Sequence, residues 1–263
     1  MELKGKRIIV TGASSGIGLA LAEKLLSEGC TVLAAVRNPK KLTLTHERLL
    51  VETCDVSKPE DIDRLFDAAV ARMGDIDVFV ANAGFAYYEK LETPDWEHAR
   101  AIFDTNVLGL FHSAQRLKAL KGQEPFRFVS IASGMSFLSL PGYALYSATK
   151  AAIRGFADAY RYELGEGQRF QVAYPIATRT AFFDRAGGSP VPWPSQPADV
   201  VARRIADGIR KGCNSIFPSR LFRVTLAFGR VFPFVLGLYR RIEAARFRAW
   251  RQGGSESAKG GVA

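Results

Sequence analysis

The chain is poor in the residues that make cross-links and metal sites. Its three cysteines, Cys30, Cys54 and Cys213, lie far apart with no C-x-x-C pair, so neither a disulfide framework nor a zinc site is indicated. Cys30 and Cys54 fall in or beside strand-like runs, an ordinary setting for a buried reduced thiol. The three histidines, His46, His98 and His112, have no ligand spacing among them, and no metal is expected. Acids are nearly missing from residues 219–251, where eight arginines stand against Glu243 alone, a net +7 of the chain's +10. The remainder is almost balanced, which argues against a nucleic-acid-binding protein with a broad basic face. Long apolar runs are missing too. The longest charge-free apolar stretch of the basic segment, 231–239, is nine residues, against the ~20 that a spanning helix needs. The first strand-like run follows "MELKGK" at once, which leaves no room for a secretory signal. A reducing cytoplasmic compartment is the expectation.

What is there is enough for one large core: 263 residues, 48% of them hydrophobic, with no composition break that forces a split. Strand-like runs at 6–10, 31–36, 49–56, 76–84, 126–133, 170–175 and 213–218 alternate with helical patterns. The helical patterns include a long one over 94–120 and another over 143–164. Such alternation predicts an α/β fold, a doubly wound parallel sheet of about seven strands with ligands at the strand C-terminal ends. Residues 1–218 read as this one domain and 219–252 as a basic, apolar helical extension. The small, polar stretch 253–263 is expected to be a disordered tail.

Two motifs carry chemistry. The first is "VTGASSGIGLALAEKLL", in which a G-x-x-x-G-x-G turn joins a β-branched run to a helix with one apolar side. Such a turn sits at a helix N-terminus, where unpaired amides and the positive dipole end can hold a phosphate. Gly12 would permit the sharp turn, Gly16 the approach of a pyrophosphate, and Gly18 close helix–strand packing. The second is "YSATK". At i and i+4 of a helix, Tyr146 and Lys150 share a face, and a close cation is expected to lower the tyrosine pKa from about 10.

Ser133 ends a strand-like run thirteen residues before Tyr146, and "NAG" (Asn82, Ala83, Gly84) follows another. In order and spacing these motifs resemble the short-chain dehydrogenase/reductase family over roughly residues 5–218. The resemblance implies a Rossmann-type fold, a nicotinamide cofactor and a catalytic tetrad of Asn106, Ser133, Tyr146 and Lys150. Tyr146 would give a proton to a carbonyl oxygen or take it from an alcohol, and Ser133 would position that oxygen. Lys150 would hold the nicotinamide ribose, and Asn106 would anchor a water linking the lysine to solvent. Cofactor contacts are implied for Gly12, Ser14, Ser15, Gly16, Ile17 and Gly18, and for Asn82, Ala83 and Gly84. They are implied also for Asp55 and Val56 at the adenine, for Pro175 and Thr180, and for Tyr146 and Lys150 themselves.

The end of the second strand carries Val36 and then Arg37, where an enzyme that prefers NAD usually has an acid for the ribose 2′-hydroxyl. That substitution points to a 2′-phosphate, hence NADP(H). One departure concerns "PIATRT" (175–180), where Ile176 replaces a family glycine. A β-branched residue disfavours positive φ, so the backbone there is expected to take its own path. The loops "FAYY" (85–88), "MSFLSLPGY" (135–143) and "AFFD" (181–184) are rich in apolar and aromatic groups. They read either as the rim for an apolar carbonyl or alcohol substrate or as loop packing. Residues 187–197, rich in proline and glycine, read as a lid.

The extension replaces the glycine-rich final strand of many family members. It reads either as an interfacial segment on an anionic membrane or as a helix pair docked on the domain or across a homodimer. The leading expectation is therefore an NADP(H)-dependent oxidoreductase acting on an apolar carbonyl or alcohol. The alternatives are reduction of acyl-carrier-linked oxo groups and a non-catalytic nucleotide sensor or scaffold.

Overall fold

The structure, a computed structural model, describes residues 1–259, apart from the side chains of 230, 231, 233 and 253–259. The strands are β1 (Arg7–Thr11), β2 (Thr31–Val36), β3 (Leu49–Thr53), β4 (Val78–Ala81), β5 (Arg127–Ile131), β6 (Arg169–Ala173), β7 (Thr178–Arg179), β8 (Gln196–Pro197) and β9 (Ser215–Ile216). The helices are α1 (Gly16–Ser27), α2 (Pro59–Met73), α3 (Trp96–Phe103), α4 (Gly109–Lys121), α5 (Ala144–Tyr160), α6 (Phe182–Arg185), α7 (Ala198–Lys211), α8 (Arg220–Val231) and α9 (Pro233–Lys259). A seven-stranded sheet in the order β3-β2-β1-β4-β5-β6-β9 has every pairing parallel. β7 and β8 form a separate short ribbon. This is the doubly wound Rossmann-type architecture that the alternation predicts.

Both faces of such a sheet must be covered, so its strands are apolar on both sides. In β4 the alternation sends Val78 and Val80 toward the layer of α1 and α7, and Phe79 toward that of α2, α4 and α5. On this second face Phe79, Phe128 and Phe170 occupy matched register positions on neighbouring strands. Together with Phe66 they stack at 5.3, 5.2 and 5.0 Å between ring centroids. That ladder fixes the spacing of β4, β5 and β6, whose C-terminal ends carry Asn82, Ser133 and Pro175.

The N-terminal end of the sheet is closed by paired charges. Asp77 accepts hydrogen bonds from the Arg7 amide (2.9 Å), the Arg7 guanidinium (2.8 Å) and the Lys6 ammonium (3.3 Å). The buried Lys121 ammonium reaches Asp75 at 2.7 Å. Burial pushes the Asp77 carboxyl up, but the hydrogen bonds and charge of Arg7, with Lys6 behind them, hold it at about 2.

The long helix expected over 94–120 is interrupted. Between α3 and α4 the chain widens into a π-helical stretch, Asp104–Leu108, and a Cβ on the next residue, Gly109, would overlap the Val56 carbonyl. The helix thus passes unusually close to the exit of β3. α9 continues to Lys259, into the segment expected to be a disordered tail. Residues 260–263 of that tail lie outside the described residues.

Candidate active site

The glycine turn leaves β1 where the winding reverses, since β1 pairs with β2 on one side and β4 on the other. Ligands of open α/β sheets bind beyond the strand ends at such a point. Gly12 and Gly16 hold φ of +66° and +60°, a region that side chains avoid. A Cβ on Gly12 would come 2.9 Å from the Ala83 Cα, and one on Gly16 would come 3.3 Å from Thr180 Cγ2. A Cβ on Gly18 would overlap the Asn82 amide and the Gly12 carbonyl. The turn is therefore a cradle with no room for side chains, and Asn82, Ala83 and Thr180 are brought against it from β4 and from beyond β6.

Thr11, which no motif marks out, ties these segments together. Its hydroxyl accepts from the amides of Asn82 and Ala83, both at 3.0 Å. The Asn82 side chain returns a bond to the Thr11 carbonyl at 2.9 Å. Ser15 precedes α1 in extended backbone and its hydroxyl makes no cap bond. The first turn of α1 holds no acid, so its amides and dipole are unopposed. Ser14 and Ile17 lie half-buried beside it. Arg185 of α6 donates to the Ser15 hydroxyl at 3.3 Å, a contact invisible in the sequence because 170 residues separate the two. A bare cradle at a helix N-terminus with a guanidinium beside it fits the pyrophosphate of a dinucleotide.

At the far end of β2, Arg37 lines a cavity of about 370 Å3 together with Asp55, Ser57 and Phe85. Asp55 is held in place by the Ser57 amide (3.1 Å) and hydroxyl (2.8 Å). Lys40 and Lys41 follow Arg37 in a single turn of helix. Among the described residues none of these three cations is in an ion pair.

The tetrad residues come from three places: the π-helical stretch (Asn106), the exit of β5 (Ser133) and α5 (Tyr146 and Lys150). Asn106 sits in the π-helical stretch, a deviation often found at functional sites. Its Oδ1 accepts from the Phe85 amide at 3.0 Å. Its Nδ2 donates to the Phe85 carbonyl at 2.9 Å and to Thr149 Oγ1 at 3.2 Å. Gly84 lies between Asn106 and Lys150, since a Cβ there would come 2.9 Å from Asn106 Oδ1 and 3.7 Å from Lys150 Nζ. Lys150 is buried and donates to the Ile131 carbonyl at 3.0 Å. Ser133 follows β5 and accepts from the Met135 amide at 3.1 Å. Pro175 faces it across the strand ends, its carbonyl accepting from the Gly134 amide at 2.8 Å.

The electrostatics differ from the expectation in one respect. Burial raises the Tyr146 pKa well above that of a free phenol, and a hydrogen bond with Ser133 works the other way. The Lys150 ammonium lies over the tyrosine ring, 5.4 Å from its centroid, and is directed to a backbone carbonyl. It therefore does not supply the lowering expected from i, i+4 spacing. Burial also brings Lys150 itself down to about 8. Tyr146 is accordingly a protonated donor at neutral pH. Ile176 keeps a negative φ like every other described non-glycine residue, as a β-branched side chain requires.

Tyr146 stands in an apolar cluster drawn from all three candidate rim loops, including Tyr88, Leu138, Tyr143 and Phe183. Its ring meets Tyr143 at 6.1 Å and Phe182 at 5.5 Å. The extension also joins this cluster. Phe247 and Trp250 of α9 contact Tyr88 at 5.2 and 4.7 Å, and Phe222 of α8 fills the space beside Gly134. Composition alone does not reveal this contribution, because docking depends on which face of each helix turns inward.

Comparison with known proteins agrees with this arrangement. A family model described as short chain dehydrogenase matches residues 6–187. The chain is 27% identical over 248 residues to 11-beta-hydroxysteroid dehydrogenase 1A of Arabidopsis thaliana, covering 85% of this chain and 71% of that protein. It is 32% identical over 190 residues to 3beta-hydroxysteroid dehydrogenase 1 of Eggerthella lenta, covering 68% and 73%. In fold it is similar to a short chain dehydrogenase of Burkholderia cenocepacia in complex with NADP, with TM-score 0.80 and 23% identity over 91% of this chain and 99% of that one. A relative from Burkholderia phymatum, in complex with NAD, gives 0.77 at 24% identity, over 86% of this chain and 93% of that one. The nucleotide cradle, the strand-end serine and the tyrosine–lysine helix thus have a common explanation: this chain is an oxidoreductase of the short-chain dehydrogenase/reductase family.

Proposed function

We propose that the protein interconverts a carbonyl and an alcohol on an apolar substrate, with NADP(H) as the hydride carrier and Tyr146 as the proton donor or acceptor. The observation that carries this reading is the buried phenol of Tyr146. Ser133 acts on it in the direction that favours its ionised form, a buried cation lies over its ring, and it faces a wall of aromatic loops. The cofactor, when bound, supplies or accepts the hydride. The chain's own residues do the rest. Gly12, Gly16 and Gly18 admit the pyrophosphate to the α1 amides, with Ser14, Ser15, Ile17 and Thr180 around it. Asn82, Ala83, Gly84 and Pro175 form the floor between cofactor and sheet. Asp55 and Val56 take the adenine end. Ser133 holds the substrate oxygen within reach of the Tyr146 hydroxyl. Lys150 offers its ammonium to the ribose. Asn106 braces the Phe85 loop and the helix that bears Lys150.

The preference for NADP(H) rests on Arg37 with Lys40 and Lys41, in no ion pair among the described residues, and on Val36 at the end of β2, where an enzyme that prefers NAD usually carries an acid for the ribose 2′-hydroxyl. The apolar substrate class rests on the lining around Tyr146, which offers aromatic and aliphatic surface and no cluster of arginines. Two relatives are named hydroxysteroid dehydrogenases, which supports a bulky alicyclic alcohol or ketone. The deciding experiment is a panel of alicyclic, aromatic and acyl-thioester carbonyl compounds with NADPH and NADH, run beside Tyr146→Phe. Turnover of the apolar ketones that the variant loses supports the proposal. Preference for acyl thioesters selects the acyl-carrier reading, and equal turnover by the variant removes Tyr146 from the mechanism.

A second observation concerns partners. The inner face of the extension packs on the domain, while Leu221, Phe234 and Leu238 on its outer face are 62%, 70% and 59% exposed among arginines. Among the described residues no single helix is long and apolar enough to cross a membrane. An apolar row flanked by guanidinium groups suits the surface of an anionic bilayer instead, so we read the protein as a peripheral membrane enzyme of the cytoplasmic side. Its homodimer is proposed from the family likeness alone. Vesicle sedimentation and analytical ultracentrifugation test the two.

A further inference from the structure

A second cavity, of about 550 Å3, lies on the sheet's β9 edge, away from the tyrosine, between α7, β9 and α8. Arg204 and Lys211 of α7 and Arg220 and Arg223 of α8 border it, and Ile216, Phe217 and Ala227 make its apolar floor. Its single carboxylate, Asp207, is engaged by Arg210 at 2.6 Å. Among the described residues none of the four bordering cations is in an ion pair. Two of them stand in the first turn of α8, a helix of twelve residues whose opening turn holds no acid. Cations there oppose the helix dipole, so the local charge is adverse unless an anion is present. Ordinary solvated arginines do not need a concave apolar floor, and here the two occur together. The mouth of the cavity is also continuous with the outer apolar row, because Val224 both lines it and is 64% exposed.

We infer that this cavity is a binding site for the phosphate headgroup of an acidic phospholipid. Guanidinium groups take phosphate oxygens in paired hydrogen bonds, the α8 amides add to the same field, and the acyl chains leave along Val224 and Phe228. The site gives the membrane contact proposed above a specific lipid, and in that respect rests on it.

The test uses the full chain and two readouts. Sedimentation with vesicles of phosphatidylcholine, with and without phosphatidic acid, compares wild type with Arg220→Gln/Arg223→Gln and with Arg240→Gln/Arg241→Gln. The last pair removes equal charge from α9, outside the cavity. Loss of one surface cation weakens partition about fivefold, so the α9 pair should lose about 25-fold on phosphatidic acid vesicles by charge alone, and the cavity pair should lose clearly more. Thermal shift with a water-soluble short-chain phosphatidic acid, set against inorganic phosphate, separates lipid from free anion. The short-chain lipid should raise Tm in wild type and not in the cavity pair. Equal losses by both pairs, with no lipid-specific Tm shift, overturn the site and leave the membrane contact as a diffuse charge effect. Equal protection by inorganic phosphate overturns the lipid assignment. A Tm shift that depends on the cavity, with no vesicle binding, upholds the site and sinks the membrane contact instead.

Discussion

Two buried lysines mark the two ends of the sheet. Lys121, at the N-terminal end, meets the Asp75 carboxylate in a network where Arg7, Lys6 and Asp77 are also paired. Lys150, at the C-terminal end, has the carbonyl of Ile131 and the ring of Tyr146 and, among the described residues, no carboxylate. Glycines without room for a Cβ and helix amides without an acid complete that second end. One end neutralises its charge within the chain and contributes stability. The other keeps its charge uncompensated, which costs stability and leaves an electric field for a ligand to complete.

The comparison can be broken most severely at the tyrosine. Tyr146→Phe keeps the ring contacts and removes the proton, so turnover should fall about 10²–10⁴-fold with NADPH affinity nearly unchanged, as steady-state kinetics and fluorescence titration would read. Lys150→Met should also abolish most turnover yet make the cofactor-free protein more stable. A folded value of about 8 against an ordinary 10.5 means that the unfolded chain binds the proton more readily between those pH values. Wild-type stability should therefore rise from pH 8 to 10.5. At neutral pH the variant should gain about 2 kcal/mol, once the lost carbonyl bond is allowed for. Chemical denaturation across that range checks both statements.

At the other end the sign reverses. Asp77, held at about 2 against 3.8, contributes stability that is present above pH 4 and lost as pH falls through 2. Asp77→Asn should cost about 2 kcal/mol at neutral pH and leave kcat unchanged. If it lowers kcat as Lys150→Met does, the division between the ends is wrong. The smallest effect sharpens the picture at the cofactor. Arg37→Ala should weaken NADPH about tenfold, since one charge-assisted contact is worth ~1.5 kcal/mol, and leave NADH unaffected in paired titrations.

The sheet and the cofactor half of the site are legible in the sequence because their demands are local. A strand, a glycine turn and a helix occupy consecutive residues, and Tyr146 and Lys150 share a helix face whatever surrounds them. What the sequence hides depends on distance in the chain. Thr11 matters only because β4 lies beside β1, and Arg185 matters only because α6 folds back onto the turn. The π-helical widening at Asn106 leaves no mark on hydrophobic periodicity, so 94–120 reads as one helix. The acidity of Tyr146 departs from its expected value because sequence spacing supplies proximity to Lys150 but not burial, and burial is the larger influence. The inward face of the extension is ambiguous for the same reason: alternating arginines and aromatics suit either a bilayer or a protein surface, and only the fold reveals that Phe222, Phe247 and Trp250 turn to the domain.

The 187–197 segment is stitched down at two points. The Tyr143 hydroxyl meets Ser189 at 2.5 Å, and the Tyr239 hydroxyl of α9 donates to the Trp193 carbonyl at 2.9 Å. Product leaving past this segment must undo at least a single stitch, and the second of them belongs to the appended helix. Under the proposed membrane contact, whatever grips α9 from outside would also bear on that second stitch, so an enzyme released from such a surface and one resting on it would differ in residence time while sharing identical chemistry.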